Sequence, residues 1–597
     1  MSKYFVMYNP ANFDLMSLDR DKCASPLDLV TYLTNRDASK LDLENYLDYL
    51  HFDLRKRREA MVETFGIENG AALYIGNQIA RLAPEATVVH ADDNRTAIGE
   101  AIKSQGAKPE AVFISSISSN FPGAVSAAIV LNRARIPVVL GGIHVSTTPE
   151  DVESFIRNFC PHPELVIQVR GPGDSHVIGE LLRDLEQGTL KREYVGHTTI
   201  EDGVWRIPPN VLRLPHMCMD THGRVPFLGR FLQHKVRVNS VAPCVGCPYS
   251  CSFCSISTLP LNQRGLVLRS PADVLDELTA YQESEEASVP WPIVLFATDN
   301  LLLGGHVLDE VLEGIIERKL KTPFMAQISI EVASNERLLQ RLRLAGAVTF
   351  EFGFESLDIR NLEHINKHCV RDIRKSGLPV SEYYSRQIKK IHNHGIGVQG
   401  SFIFGLPFDW FDSFEANTGT EVAEFCTDNH ISLMPHVLVA LPGSRVFQES
   451  IEAGTFLYGH PGTMDYLRAL CIADHGEMNI EPSETLRKSP LLVGVMVLEA
   501  LRRVGTRGRA LRNAAYMARK AFACPTARGG VSNKERVEDS LLASVTELIT
   551  LSLYRDIAER LASSRNGRRE GLQRLYETER DPEVKRLCQN YVAEFLL

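Results

Sequence analysis

The chain has 597 residues, of which 44% are hydrophobic, 23% charged and 8% aromatic, an ordinary globular composition at a length suited to roughly three domains. A formal net charge of -9 argues against a general nucleic-acid binder, because phosphate backbones recruit an excess of Lys and Arg. The opening MSKYFVMYNPANFDL lacks the cationic start and cleavage site of a secretory signal, and the longest apolar run, PLLVGVMVL at 490–498, is about half of the ~20 residues a membrane span needs. A cytoplasmic protein with no membrane span is the expectation. In that reducing compartment clustered cysteines point to metal binding or catalysis rather than disulfides.

Taken in chain order, residues 4–8 read as a strand, and the polar stretch LENYLDYLHFDLRKRREAMVETFG reads as helical. From about 71 to 190 helices and strands alternate. ALYIGNQIARLA is a predicted helix, EATVVHA a strand, RTAIGEAIKSQGA a helix, EAVFISSIS a strand and FPGAVSAAIVLNRAR a helix. IPVVLGGIHVS is a strand running into a glycine pair, and ELVIQVRGPGD a further strand. Such alternation predicts a parallel, doubly wound sheet in a domain over 1–190, with its ligand at the carboxyl ends of the strands. Ser115–Ser119, Gly141–Gly142 and Gly171–Gly173 all fall there. Residues 191–233 read as a linker with a hairpin-like REYVGHTTIEDGVWRIPP.

A second run of strand–helix units occupies 234–450. Its predicted strands are KVRVNSVAP, PIVLFATDN, PFMAQISIE, VTFEFGFES, GIGVQGSFIFGLP and ISLMPHVLVALPGS. Six such units make a partial (β/α)6 barrel, whose chemistry belongs at the carboxyl ends of its strands. Residues 451–597 carry mainly helical signals. Within them, 487–528 hold ten Lys or Arg against the single Glu499. That asymmetry suits a solvated helix face, or a basic surface toward an anionic substrate, a peptide or a membrane surface. Gly505, Gly508 and Pro525 argue against one long amphipathic anchor.

The chemistry-bearing signal is PCVGCPYSCSFCSIS, with Cys244, Cys247, Cys251 and Cys254 in eleven positions. Paired CxxC knuckles favour four-thiolate zinc, but only three residues separate these two pairs, and zinc knuckles normally need a longer excursion. The competing arrangement is an iron–sulfur cluster on Cys247, Cys251 and Cys254, which leaves one iron without a cysteine. The loop follows the first barrel strand, at the mouth where a reactive cofactor belongs.

CxxxCxxC with Phe253 before its last cysteine, at the start of a partial barrel, resembles the radical SAM superfamily. In that family the three cysteines hold a 4Fe-4S cluster, and the open iron chelates S-adenosylmethionine, whose one-electron cleavage gives a 5′-deoxyadenosyl radical. Further motifs resemble the family in order. LFATDN ends at Asp299 and Asn300, near the methionine moiety, and FGFES supplies Gly353, Glu355 and Ser356 to the S-adenosylmethionine contact. GSFIFGLP contains Gly400 and Gly405, and VALPGS closes the sixth strand. The resemblance covers roughly 235–445. By this pattern Cys244 is no ligand. It reads as a small buried residue at a strand end, or else as a thiol beside the cluster. Asp273 opens the next helix, where a first-turn carboxylate suits the helix dipole; reach to the open iron is the alternative reading.

An α/β domain ahead of such a barrel resembles the cobalamin-binding members of the superfamily. The residues carrying this are Ser115, Ser119, Gly141, Gly142, Ile143, His144, Gly171 and Gly173, in loops that in the family surround the corrin and its tail. The Asp-x-His-x-x-Gly motif of methionine-synthase-type domains is absent from NPANFDLMSLDRDK, so the resemblance implies base-off cobalamin without a histidine ligand. His144 then reads as a polar loop residue rather than a cobalt ligand, and His51 and His90 as surface or helix residues.

The resemblance implies methyl transfer from S-adenosylmethionine, via methylcobalamin, to an unactivated carbon of a natural-product, amino-acid, peptide or lipid substrate, with an external reductant such as flavodoxin or ferredoxin. Two rivals stand beside it. One uses the same cofactors for ring contraction, cyclisation or oxidation. The other is an iron–sulfur binding or electron-transfer protein. Tyr383, Tyr384 and His436 are candidates for substrate-side acid–base work by position only.

Overall fold

The computed structural model describes residues 3–10, 70–92, 98–196, 204–205, 218–219, 236–264, 266–283, 292–320, 323–459, 463–471 and 478–504, with shorter pieces between 509 and 520 and between 576 and 589. The helical reading of LENYLDYLHFDLRKRREAMVETFG, His51 and most of the basic segment beyond 504 lie outside the described residues. By compactness the chain divides into two units. One comprises Met1–Pro215, Phe253–Gly265 and Ala440–Asp474; the other His216–Ser252, Leu266–Val439 and His475–Leu597.

The first unit is built on a six-stranded sheet of β1 (Tyr4–Asn9), β2 (Thr87–Asp92), β3 (Ala111–Ser115), β4 (Val138–Gly141), β5 (Val166–Arg170) and β6 (Glu193–Val195). The order is β2-β1-β3-β4-β5-β6, and every pair is parallel. Short β-rich runs such as VVLG, buried from Val138 to Leu140, are what a sheet covered on both faces requires. Phe5, Met7, Phe113, Val139, Ile167 and Val169 pack with Ile79, Ile178 and Leu181 into one core. Each such side chain contributes roughly 1.5–3 kcal/mol by leaving water. The doubly wound expectation holds. The linker differs from its expectation: Glu193–Val195 pairs with Gln168–Arg170 and so extends the sheet. His90 lies on β2, opposite Met7, rather than in a helix.

Past the short strands β7 (Val204–Trp205) and β8 (Cys218–Met219), the second unit carries the six strands expected from the sequence. They are β9 (Val236–Val241), β12 (Pro292–Phe296), β13 (Phe324–Gln327), β14 (Ala347–Glu355), β15 (Gly397–Phe404) and β16 (Ser432–Val437), with a small antiparallel pair, β10 (Cys244–Val245) and β11 (Val267–Arg269), after the first of them. β9 and β12 to β16 are parallel neighbours, and β8 adds an antiparallel edge.

Period-two alternation sorts the two faces of β14. Phe350, Phe352 and Phe354 are buried, and Phe354 meets Phe402, Tyr384 of the helix Val380–Asn393 and Phe425 of the helix Thr418–Asp428. The other face presents Glu351 and the exposed Gly353. Register places Gln327, Glu351 and Gln399 in one row, and the Ser401 hydroxyl donates to Glu351 at 2.9 Å. Exposed His436 lies on β16 beside Ile403. The apolar run at 490–498 belongs to the helix Pro490–Val504, which is buried almost throughout and packs on β16 and the helix Thr418–Asp428. Its Glu499 is paired with Arg502 and Arg503. Among the described residues no helix is long and apolar enough to cross a membrane.

Candidate functional site

Cys244 sits in β10 with 2% of its surface exposed, its sulfur 3.4 Å from the Thr298 hydroxyl. Burial raises its thiol pKa, so it remains a neutral core residue. Cys247, Cys251 and Cys254 form no disulfide among the described residues and are half-buried. The loop before them is anchored by Asp299, whose Oδ2 accepts the Gly246 amide at 2.8 Å. Around Cys251 the anchoring is two-sided: Asn366 Nδ2 donates to the Ser250 carbonyl at 3.0 Å, and the Ser252 amide donates to the Ile365 carbonyl at 2.9 Å.

Two cations lie against Cys251. Lys367 donates to Glu355 Oε1 at 2.7 Å in a pair only 10% and 7% exposed. Burial opposes its charge, but Glu355 and Cys251 outweigh burial and raise the ammonium above its ordinary range. His368 stacks on Tyr249 with ring centres 4.2 Å apart, and its Nε2 is 3.3 Å from Glu331 Oε1. Burial again works against protonation, yet Cys251 and Glu331 bring its pKa to about 9. Lys367 and His368 thus set positive charge beside the central cysteine of the loop. Glu331, Lys367 and His368 escaped the sequence reading, since they converge on the loop from positions 80 to 120 residues away with no local motif.

The expected S-adenosylmethionine residues divide. Gly353 is exposed on the polar face, and a Cβ there would lie 2.3 Å from Glu355 Oε1, so the glycine leaves room for the Glu355–Lys367 pair. Ser356 is buried beside it and receives Asn361 Nδ2 at 3.2 Å. Asn300 is committed to backbone, its Oδ1 accepting from the amides of Leu302 and Ser329. Gly400 and Gly405 make space for protein: their Cβ positions would meet the Phe354 ring and Met478 respectively. Tyr383 and Tyr384 are buried, Tyr384 within the aromatic core, which argues against substrate-side chemistry. Asp273 opens the helix Pro271–Glu283, and its Oδ2 is shielded without a hydrogen bond among the described residues. A cavity of about 550 Å³ opens past Ser356, between Arg360, Phe408, Trp410 and Glu421, and contains none of the cysteines.

In the first unit the strand order reverses between β1 and β3, the switch point where open α/β sheets bind ligands. The neighbouring loops are tied together. Ser116 N donates to the Gly141 carbonyl, His144 N to the Ser116 carbonyl, the Ser146 hydroxyl to the Gly142 carbonyl, and Gly171 N to Ser146 Oγ. Gly142 has φ 98° and a hypothetical Cβ 2.3 Å from the Ser116 carbonyl, so only glycine fits. Gly171 and Gly173 likewise answer to protein neighbours, Gly196 and Ile75. Ser115 ends β3, half-buried, and Ser119 is 7% exposed. Ile143, expected, and Ile117, missed, remain 39% and 53% exposed, an apolar rim on these loops.

His144 departs from its expectation as a polar loop residue. It lies in the helix Ile143–Thr147, fully buried, 3.9 Å from the Phe121 ring centre. Its Nδ1 is 3.2 Å from Ser118 Oγ, Nε2 has no partner among the described residues, and burial lowers its pKa to about 3. Such an imidazole is neutral and shielded from solvent.

Within the first unit Phe253 and Cys254 begin a turn-rich segment. The Thr258 amide donates to the Gly443 carbonyl at 3.2 Å, and the Ser257 amide to the Cys254 carbonyl at 3.0 Å.

Residues 241–416 match the family described as the radical SAM superfamily, and the chain carries a radical SAM domain. Such a domain implies a 4Fe-4S cluster and S-adenosylmethionine. Among curated proteins, the chain is 30% identical over 206 residues to the bacteriochlorophyllide d C-12(1)-methyltransferase of Chlorobaculum tepidum, covering 34% of this chain and 41% of that one. It is 25% identical over 325 residues to the bacteriochlorophyllide d C-8(2)-methyltransferase of the same organism, covering 53% and 63%. The chain thus spans about half the length of these relatives. Its fold is similar to that of the radical S-adenosylmethionine methyltransferase TsrM from Kitasatospora setae, a structure with cobalamin and a 4Fe-4S cluster bound. The TM-score is 0.52 at 14% identity, over 92% of this chain and 99% of that chain.

Proposed function

We propose that the chain is a cobalamin-dependent radical SAM methyltransferase, acting on an unactivated carbon of a natural-product, amino-acid, peptide or lipid substrate. The carrying observation is that one chain joins a radical SAM domain to an all-parallel α/β unit with a switch-point crevice. The methyltransferase names of its relatives support the reading.

Cys247, Cys251 and Cys254 would hold the cluster, and the cations at Cys251 fit its negative charge. Gly353, Glu355 and Ser356 would border S-adenosylmethionine. Ser115, Ser119, Gly141, Gly142 and Ile143 would border cobalamin, and the exposed Ile117 and Ile143 suit the apolar edge of a large planar ligand. When bound, these groups supply one-electron chemistry and a methyl carrier. The chain's own task is then placement. Asp299 and Asn366 hold the cysteine loop, Lys367 fixes the Glu355 carboxylate, and the Ser116, Gly142 and Ser146 bonds set the crevice loops. An external one-electron carrier of the flavodoxin or ferredoxin type would serve as reductant.

The test needs no substrate. The cobalamin-loaded, cluster-reconstituted chain is reduced and given S-adenosylmethionine labelled in its methyl group. The reading expects the label on cobalamin with one equivalent of S-adenosylhomocysteine. Reductive formation of 5′-deoxyadenosine with no labelled cobalamin would instead favour the non-methylating rival.

A further inference from the structure

The face of β14 that turns away from the phenylalanines is polar, and it opens toward the carboxyl ends of the strands. Alternation and register put Gln327 of β13, Glu351 of β14, and Gln399 and Ser401 of β15 on this one face. Register continues it to Ser432, Met434 and His436 of β16. Along β16 the face runs from buried Ser432 through half-buried Met434 to exposed His436, and along β14 from half-buried Glu351 to exposed Gly353. A parallel barrel sheet carries its chemistry at that end.

The polar groups of the row are under-used. Gln399 is 6% exposed, yet its side-chain amide makes no hydrogen bond among the described residues. The amide of exposed Gln327, across Glu351 from it, makes none either. Glu351 accepts one bond, from Ser401 to Oε1 at 2.9 Å, and forms no ion pair among the described residues. The Lys367 ammonium stands one step up the strand, where a Cβ on Gly353 would lie 2.8 Å from Nζ, but it is bonded to Glu355 at 2.7 Å. A buried amide without a partner costs free energy, and a carboxylate with one hydrogen bond and no counter-charge keeps lone pairs to offer. Packing gives no reason for either.

An unopposed carboxylate between two unbonded amides suits a ligand group with a positive charge and several N–H donors. We propose that Glu351, flanked by Gln327 and Gln399, is a specificity-determining residue that receives a protonated primary amine of the substrate. This rests on the methyltransferase reading above. It narrows the substrate to an amine-bearing molecule, whether amino acid, peptide or natural product. A hydrocarbon lipid is set aside, because its chain would leave the carboxylate and both amides desolvated and unpaired.

The test is equilibrium dialysis of radiolabelled n-propylamine and 2-phenylethylamine, each against its neutral isostere, 1-propanol or 2-phenylethanol. It uses the full chain with reconstituted cluster and hydroxocobalamin at neutral pH, where both amines are protonated. The expected result is tighter binding of at least one amine than of its alcohol in wild type. Glu351→Gln weakens that amine by about tenfold or more and leaves the alcohol unchanged. Gln399→Leu, which removes an amide that bonds nothing in the fold, weakens the amine by about threefold. Circular dichroism checks both variants, and Gln399→Leu decides alone if Glu351→Gln does not fold. Equal binding of amine and alcohol in wild type would overturn the proposal. So would amine affinity that survives the substitutions, or alcohol affinity that falls with them. The methyltransferase reading fails separately, by unlabelled cobalamin in the wild-type assay described above.

Discussion

At the scale of single residues, burial decides which polar groups belong to chemistry and which to the fold. Glu355 and Lys367 form a shielded pair, and Glu355 adopts φ 62°, a conformation that non-glycine residues hold only when their surroundings demand it. Lys367→Met leaves a buried carboxylate without its partner. The expected loss is ~3 kcal/mol in denaturant unfolding, and most of it returns in the Lys367→Met, Glu355→Gln double variant. No change in the single variant would show the pair to be relaxed by solvent. His144 makes the opposite case: it is fully buried, with Phe121 against the face of its ring and Nε2 shielded from solvent. His144→Phe should therefore leave the visible spectrum of bound hydroxocobalamin as in wild type; a shift would reveal cobalt ligation. Neither environment was legible in the sequence. His144 follows two glycines and reads locally as loop, while its burial comes from a helix more than twenty residues earlier.

At the scale of elements, the strand ends and their tethers carry the function. Gly443 has φ 82°, and a side chain there would lie 2.1 Å from the Ser255 carbonyl and 2.4 Å from Thr147. Gly443→Ala must displace the segment that begins with Cys254. Expected is a chain with unchanged circular dichroism whose reconstituted iron falls by about half or more; full iron would mean that the turn yields. Nearby, Asp151 on the helix Pro149–Phe159 has its carboxyl pushed up to about 6 by burial, from an ordinary 3.8, beside Tyr466. A raised acid favours the folded state most below pH 3.8, and its contribution is lost as pH climbs through 6. Between pH 4 and 7, wild type should lose stability relative to Asp151→Asn, measured by thermal melting across that range. A constant gap would contradict the shift.

The elements themselves were well marked. Alternating VTFEFGFES sorts three phenylalanines from Glu351 and Gly353 without help from the fold, and β15, buried at every position, reads as a continuous strand instead. The sixth strand of the first sheet was not marked. Glu193–Val195 has only three residues, and its pairing with β5 comes from the edge that β5 presents, a tertiary fact. The glycine motifs were seen, but not what lies against them: at Gly171, Gly173, Gly400 and Gly405 the space of a Cβ is taken by protein neighbours.

At the scale of the whole molecule, the two units pose one question: whether one chain binds both metals. The decisive measurement is iron and cobalt per chain after anaerobic reconstitution with iron, sulfide and hydroxocobalamin, on wild type and on the Cys247→Ala, Cys251→Ala, Cys254→Ala variant. The expected result is about four irons and about one cobalt in wild type, with iron alone lost from the variant. Iron without cobalt would contradict the cobalamin assignment and leave a radical SAM domain beside an α/β unit of another purpose.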